Sequence, residues 1–382
     1  MVAFWGAVAV LAYTYAGFPL LVLARAAVRP RPYRTGDVRP PVSVLIAAHN
    51  EATAIGPKLE SVLAAAYPGG RREVIVASDG SDDGTEEAVR RYEHRGVRLL
   101  ALPRVGKAAA LNRAIAVATG EVLVFTDANS ALEPDAVTAL VRPFADPTVG
   151  GVAGDQRYRR RGDEAAVTGG ERRYWDFDRL LKVAESRAGN AISATGALYA
   201  VRRELVGEVP EGVTDDFATS TGVIAAGARL VFAPDAVAWE PVAASGEVEF
   251  GRKVRVMTRG LRGVVVRREL LDVRRHGFYT VQLVSHKVLR RLMVVPLAVL
   301  AVASPALWRR GRLYRLATVG QVLFYGAGAA GLLAGSSGRR RGRHRLLAIP
   351  AFFCLVNAAS VKACWNLVTG RRIDRWEPQR PV

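Results

Sequence analysis

The stretch EVLVFTDANS, Glu121–Ser130, begins as a short apolar run and ends in an acid and an amide separated by one residue. Alternate side chains of an extended chain point to the same side, so Asp127 and Asn129 could bind one ligand together. An apolar run of this length predicts a buried β-strand. The stretch therefore predicts a strand with a ligand site at its carboxyl end.

Apolar runs of the same kind alternate with helical patterns upstream of this stretch. The predicted strands are Val42–Ala48, Glu73–Gly80, Val97–Leu102 and Glu121–Phe125. The predicted helices are Ile55–Tyr67, a second that starts at Asp82 and Thr85, and a third over Lys107–Ala118. Continuous apolar strands separated by helices predict an α/β domain with a mainly parallel sheet that is covered on both faces.

Three of the predicted strands end in polar residues, and ligands of such sheets bind beyond the carboxyl ends of the strands. The strand ends are His49, Asn50 and Glu51; Ser78, Asp79 and Gly80; and Asp127, Ala128 and Asn129. Carboxylates accept hydrogen bonds and bind hard cations, which suits a nucleotide diphosphate with a divalent metal. Asp79 would contact the base and ribose of the nucleotide, Asp127 would bind the metal, and Lys107 would bind the phosphates. The sequence has no GxGxxG after the first strand and no P-loop motif.

Membrane segments are predicted at both ends of the 382-residue chain, in which 50% of residues are hydrophobic and 23% are charged. Ala3–Ala24 contains no charge and is long enough to cross a bilayer, so we interpret it as a retained anchor. Three further candidate spans follow near the C-terminus: Leu292–Leu307, Leu313–Gly335 and Leu346–Trp365. Each of these could instead lie in the membrane interface.

The net charge of +19 and the pI near 10.7 could indicate binding to nucleic acid or to a membrane surface. Most basic residues lie in membrane-flanking loops or in Arg252–Arg275, so membrane lipids are the expected partner and nucleic acid is not. Arg25, Arg29, Arg31 and Arg34 follow the anchor and place the next domain in the cytoplasm by the positive-inside rule. The topology of the C-terminal third stays open. Cys354 and Cys364 form no metal or disulfide framework.

A series of motifs resembles one enzyme family. In chain order they are AAHNE, ASDGSDDGT, GKAAALNRAIAVATGEVLVFTDANS, ATGALYAVRRE and VTDDFATS. Over roughly Pro41–Arg262, this series is similar to the family 2 inverting glycosyltransferases, which have a GT-A fold. The membrane layout resembles the subgroup related to hyaluronan, chitin, cellulose and poly-N-acetylglucosamine synthases.

The resemblance implies a donor site and a metal site. Donor-binding positions would be Ala48, Asn50, Glu51, Asp79, Lys107 and Asp127. Asp127–Asn129 matches the DxD metal motif, although its last position is an amide. The implied cofactor is Mg2+ or Mn2+, bound through Asp127 and Asn129.

The resemblance also implies a catalytic base and an acceptor site. Asp215 and Asp216 in TDD occupy the place of the family's catalytic ED or DD motif, and Asp216 is the expected base. The QxxRW motif of processive members corresponds to Arg252, Arg255 and Val256, so the indole is missing. The two arginines would bind acceptor or diphosphate, or form a solvated or lipid-facing basic helix.

The expected organisation follows from these points. The predicted segments are an anchor over 1–27, a cytoplasmic GT-A domain over 40–265, an amphipathic linker over 266–290, about three transmembrane helices over 291–368 and a polar tail over 369–382. The predicted function is transfer of a sugar from a nucleotide sugar, UDP-linked, to a cell-surface glycan or lipid-linked acceptor. One alternative is a polyprenyl-phosphate monosaccharide transferase. Another is an inactive glycan-binding or scaffolding component of the membrane.

Overall fold

The computed structural model describes residues 1–159, 169–241, 246–336 and 345–371. The described residues form two compact units. The sheet unit contains the described parts of Val22–Val242 and Gly263–Gln282. The helical unit contains those of Met1–Leu21, Ala243–Arg262 and Leu283–Arg372.

The sheet unit is built on one sheet of eight described strands in the order β3-β2-β1-β4-β7-β6-β8-β5. Its strands are β1 Val42–Ala48, β2 Arg72–Asp79, β3 Val97–Leu102, β4 Val122–Phe125, β5 Ala131–Leu132, β6 Val149–Arg159, β7 Tyr199–Arg202 and β8 Arg229–Pro241. Strands β1 to β4 pair in parallel, whereas β7 runs antiparallel to both β4 and β6. Strand β6 pairs in parallel with β8, which in turn pairs antiparallel with β5.

The helices follow in chain order. They are α1 Val2–Ala12, α2 Phe18–Val28, α3 Ala52–Ala64, α4 Thr85–Arg90, α5 Lys107–Val117, α6 Ala136–Val141, α7 Gly169–Ala188, α8 Asp215–Ala225, α9 Gly246–Val266, α10 Val273–His276, α11 Phe278–Gln282, α12 Arg290–Leu292, α13 Val294–Ala306, α14 Arg312–Ser336 and α15 Arg345–Val368. Two π-helical turns, Tyr13–Gly17 and Leu283–Leu289, interrupt this series.

The core of the sheet unit explains why the strands form where the sequence is apolar. All seven residues of β1 are buried, because strands pair with it on both sides and helices cover both faces of the sheet. Burial of an aliphatic side chain stabilises the fold by about 1.5–3 kcal/mol, so these runs fix the strand positions. The predicted α/β class with a mainly parallel sheet is confirmed.

The predicted elements of the first half have nearly the observed bounds. Strands β1 and β3 coincide with their predictions, β2 differs from its prediction by one residue at each end, and β4 differs by one residue at its start. The helix predicted over Ile55–Tyr67 was placed wrongly by three residues, since α3 spans Ala52–Ala64. It ends there because Ala65 is extended and the amide of Ala66 donates to the carbonyl of Pro134.

The helices at the two ends of the chain include three that are long and apolar enough to cross a membrane: Val2–Val28, Arg312–Leu333 and Leu347–Val368. The predicted span Leu292–Leu307 overlaps a bent pair, Phe278–Leu292 and Val294–Ala306, which turns by 48° and would make a fourth span if counted as one. These bounds hold for the residues that the structure describes.

The predicted linker over 266–290 contains short helices whose first part, up to Gln282, belongs to the sheet unit. There the Tyr279 hydroxyl donates to the carbonyl of Ile192 at 2.8 Å, and the Gln282 amide donates to that of Asn190 at 3.1 Å. The proposed domain limits stay predictions. Most of the predicted tail, 372–382, lies outside the described residues.

Candidate functional site

The turns after β1 and β2 are tied to each other by hydrogen bonds. Nδ1 of His49 donates to the carbonyl of Asp79 at 2.8 Å, and the amide of Glu51 donates to the hydroxyl of Thr85 at 2.7 Å. The parallel register places Ala48 opposite Ser78, so both turns leave the same edge of the sheet. The predicted convergence of these two strand ends is therefore present.

Asn50 makes the sharp bend at the end of β1. Its φ of 52° lies in the left-handed region, which asparagine tolerates better than most residues. Its side-chain oxygen accepts from the amide of Asp82 at 3.0 Å, and its own amide donates to the hydroxyl of Ser81 at 3.1 Å. Asn50 thus shapes the edge of the site through the loop that follows β2.

Asp79 is fully buried and holds the loop that precedes α5. One carboxylate oxygen accepts from the amides of Val105 at 2.6 Å and Gly106 at 2.8 Å, and the other pairs with the guanidinium of Arg104. A carboxylate that accepts several backbone donors is a rigid anchor. Because α5 starts at the next residue, Asp79 determines where Lys107 lies.

Lys107 joins two carboxylates from different elements. Its ammonium lies 2.7 Å from Oδ1 of Asp127, at the end of β4, and 3.1 Å from Oδ1 of Asp215, in the first turn of α8. Burial opposes the charge of this lysine, but the charges of Asp127 and Asp215 outweigh that effect and raise the pKa of Lys107 above its usual range. Three elements therefore converge on one permanent cation.

Asp215 and Asp216 are the first two residues of α8, where the positive end of the helix dipole favours negative charge. Oδ1 of Asp216 accepts from the amide of Phe217 at 2.8 Å. Both side chains are partly accessible to solvent. The carboxylates predicted as the catalytic pair thus lie in the same group as Asp127.

An aromatic pair lies beside this group of charged residues. The ring of Tyr199 stacks on that of Phe125 with centroids 4.7 Å apart and planes inclined by 7°. Tyr199 is buried, and that burial together with the charges of Asp215 and Asp216 raises the pKa of its hydroxyl well above the usual value. The phenol therefore stays neutral beside the acidic group.

Gly196 packs directly against Asp127. Its carbonyl accepts from the amide of Asp127 at 3.0 Å, and a β-carbon at position 196 would lie 2.5 Å from Oδ2 of Asp127. No real β-carbon approaches an oxygen so closely, so a side chain here would displace the carboxylate. Glycine is required at this position if Asp127 is to stay where Lys107 meets it.

The donor set fits a divalent cation that is shared with a phosphate ligand. Among the described residues, no three His, Cys, Asp or Glu side chains gather closely enough to hold a metal by themselves. Asp127 and Asp215 nevertheless direct oxygens at one cation, the ammonium of Lys107. Divalent cations that bind with nucleotides commonly take one or two carboxylates and complete their shell with phosphate and water. Asn129 is exposed at the outer end of the same turn.

Arg252 and Arg255 lie in the part of α9 that belongs to the helical unit. Arg252 pairs with Glu249 at 2.9 Å, one turn earlier, and Lys253 pairs with the same carboxylate at 3.3 Å. Their predicted contact with acceptor or diphosphate stays a prediction.

Sequence reasoning missed three residues that the structure places around Asp127 or Asp79. They are Lys58, Arg104 and Gly196. Lys58 could have been found from the sequence, because it is a lysine on the otherwise apolar face of a helix. Arg104 and Gly196 act through tertiary contacts that no local pattern indicates.

Comparison with known proteins identifies the family of this domain. Residues 43–209 match the family model described as Glycosyl transferase family 2. These residues are therefore a family 2 glycosyltransferase domain, which confirms the family that the motifs predicted.

Individual relatives extend the match. Poly-beta-1,6-N-acetyl-D-glucosamine synthases of Staphylococcus aureus (strain COL) and Staphylococcus epidermidis are each 27% identical over 207 residues, which cover 52% of this chain and 49% of the relative. The chain thus matches about half the length of these curated relatives. A mannosyltransferase of Pyrobaculum calidifontis, solved in complex with GDP-Man and Mn2+, superimposes with a TM-score of 0.72 at 27% identity and covers 97% of this chain and 100% of its own.

Proposed function

We propose that this protein is a membrane-anchored inverting glycosyltransferase that moves a sugar from a nucleotide diphosphate to a glycan or lipid-linked acceptor. The single observation that carries this proposal is the meeting of Asp127, Asp215 and Lys107 at the carboxyl edge of the sheet. The arrangement offers carboxylate ligands for a cation and a lysine for phosphate within one group.

Lys107 and the start of α5 would bind the diphosphate of the donor. The helix has eleven residues and starts after Gly106, so its free amides and its dipole favour an anion at that end. Arg104 and Asp79 hold the loop in place. When a donor phosphate competes for Lys107, Asp127 becomes available to a cation.

Mn2+ or Mg2+, held by Asp127 with Asn129, would supply charge stabilisation for the departing nucleoside diphosphate. The Pyrobaculum calidifontis neighbour contains Mn2+ together with its nucleotide sugar, which supports a divalent metal for this chain.

Asp216 would act as the base. As the acceptor oxygen forms its bond to the anomeric carbon, the hydroxyl proton passes to the Asp216 carboxylate. The bond from the anomeric carbon to the diphosphate oxygen breaks on the opposite face, and its electron pair leaves with the nucleotide. One displacement of this kind inverts the anomeric configuration. Asp215 pairs with Lys107 beside the base.

The relatives suggest two donors. The staphylococcal relatives are poly-N-acetylglucosamine synthases, which favours a UDP-linked amino sugar and a glycan product. The neighbour that aligns with 97% of this chain is in complex with GDP-Man, which favours a mannosyl donor. A polyprenyl phosphate is the alternative acceptor.

The test is a screen of purified, membrane-reconstituted protein against UDP-, GDP- and dTDP-sugars with Mg2+ or Mn2+. A ladder of glycans supports the polymer product, and one sugar per lipid supports the polyprenyl alternative. Absence of both transfer and donor hydrolysis with every sugar would overturn the proposal and favour an inactive glycan-binding component.

We further propose that the sheet unit is cytoplasmic and that the chain crosses the membrane several times. Arg25, Arg29, Arg31 and Arg34 follow the first candidate span, and basic residues concentrate on the cytoplasmic side of membranes. With Cys354 and Cys364 replaced by serine, a single cysteine introduced at exposed Glu93 should resist an impermeant thiol reagent in intact cells and react after lysis. Labelling in intact cells would contradict this orientation.

A further inference from the structure

Lys58 is a buried cation beneath the proposed metal turn. It lies on α3 between Ile55 and Leu59, and its side chain is 2% exposed. Burial lowers the pKa of Lys58 to about 7, and the charges of Asp127 and Glu240 act in the opposite direction. Lysine is almost never fully buried without polar partners, so this one needs an explanation.

The ammonium of Lys58 donates to both hydroxyls that flank the proposed metal ligands. It lies 2.5 Å from Oγ1 of Thr126 and 3.0 Å from Oγ of Ser130. These two residues bracket the turn that contains Asp127 and Asn129. Lys58 therefore holds the turn at its two ends from inside the core.

The two hydroxyls in turn donate hydrogen bonds to backbone carbonyls. Thr126 donates to the carbonyl of Ala197 at 2.6 Å, and Ser130 donates to that of Asp127 at 2.9 Å. Gly196 accepts from the amide of Asp127 at 3.0 Å. Helix α3, the turn after β4 and residues 196–197 thus form one hydrogen-bonded network around Asp127.

We propose that Lys58 is a positioning residue that holds the Thr126–Ser130 turn, and with it the Asp127 carboxylate, where a divalent cation and Lys107 meet it. The inference rests on the proposed function. Lys58 touches neither Asp127 nor a substrate in any contact described above, so it acts through the two hydroxyls. Partners that orient a metal ligand commonly affect metal affinity by about ten- to a hundredfold.

A matched control, at the start of β2, contacts the same helix. Arg72 donates to the carbonyls of Val62, Leu63 and Ala65 at 2.6–3.0 Å and so anchors the carboxyl end of α3. Replacing Arg72 by Met removes a polar anchor of α3 but leaves the Thr126–Ser130 turn untouched. If Lys58 only stabilised the fold, both variants would lower Tm and leave Mn2+ affinity unchanged.

The test is Mn2+ binding to the full-length, detergent-purified protein in the presence of UDP or GDP, measured by electron paramagnetic resonance, together with Tm. We expect Lys58→Met to weaken Mn2+ binding by about tenfold or more, and Arg72→Met to lower Tm with Mn2+ affinity unchanged. Wild-type Mn2+ affinity in Lys58→Met would overturn the inference. Failure of the wild type to bind Mn2+ with either nucleotide would overturn the proposed function instead, and this inference with it.

A second variant covers the case in which Lys58→Met does not fold. Thr126→Val keeps the shape of the side chain but removes the hydroxyl that joins Lys58 to Ala197, so that only the weaker path through Ser130 remains. We expect it to weaken Mn2+ binding in the same direction, with normal folding by circular dichroism. Unchanged Mn2+ affinity in Thr126→Val would also contradict the positioning role.

Discussion

Lys107 and Asp127 meet at 2.7 Å although they start from different elements, the first turn of α5 and the turn after β4. Neither side chain is fully exposed, since 15% of Lys107 and 29% of Asp127 remain accessible. A partly buried pair of this kind is less screened than a surface pair. It is therefore the most direct link between the fold and the proposed chemistry.

Replacing Lys107 by Met should cost most of the activity. The change leaves Asp127 and Asp215 close together without their shared cation and removes the lysine expected to bind the diphosphate. We expect kcat/KM for the donor to fall by about a hundredfold, in line with the loss of a charged, partly buried hydrogen bond and the repulsion it leaves. Steady-state kinetics with varied nucleotide sugar measures this. An unchanged donor KM and kcat would show that Lys107 only stabilises the fold.

Gly196→Ala should inactivate the enzyme without unfolding it. The added β-carbon would lie 2.5 Å from Oδ2 of Asp127, so the carboxylate must move away from Lys107. Gly207→Ala is the control, because nothing lies within 4 Å of a β-carbon at that position. We expect Mn2+ affinity and transfer rate to drop in the first variant only. If Mn2+ affinity and transfer rate were the same in both variants, the position of the Asp127 carboxylate would not matter for activity.

Asn129→Asp tests whether the amide of the metal turn faces the cation. A second carboxylate should tighten metal binding and lower the Mn2+ concentration that gives half-maximal activity, by about tenfold if it becomes a ligand. Titration of Mn2+ at saturating donor measures this. If the half-saturating concentration does not change, Asn129 only shapes the turn.

Stability should fall in acid through Glu73. Burial would raise the pKa of this carboxyl, but hydrogen bonds from Ser43 and Thr119 outweigh it and hold the pKa below the usual 4.5. A group with a lowered folded pKa stabilises the protein above its unfolded pKa, and the effect disappears as pH falls through the folded value. The Tm of Glu73→Gln should therefore lie below that of wild type near pH 7, and the difference should shrink below pH 4.5. A constant difference down to about pH 3 would contradict this origin.

The first half of the sheet could be predicted because its strands are uninterrupted apolar runs between helical patterns. Strand β1 illustrates this, since all of Val42–Ala48 is buried, as expected for a central strand of a parallel sheet. The second half was harder to predict. Strand β6 contains Gly150, Gly151 and Gly154, and β7 has only four residues, so tertiary pairing and not local pattern determines them.

The site residues likewise divide into those that local sequence predicts and those that only tertiary contacts reveal. Asp127, Lys107 and the Asp215–Asp216 pair could be predicted because each follows a strand or starts a helix, where side chains reach the sheet edge. Asp79 was predicted as a ligand contact, and the structure adds a role in holding the loop before Lys107. Lys58 and Gly196 were missed because their effect on Asp127 depends on contacts across the fold.

The most direct test of the proposed function is the transfer rate of Asp216→Asn, compared with wild type at equal donor occupancy. The amide keeps the shape of the side chain but cannot take the acceptor proton. We predict that transfer falls by about a hundredfold or more while Mn2+-dependent donor binding is retained. Full transfer activity in Asp216→Asn would contradict the assignment of the base and, with it, the proposed displacement.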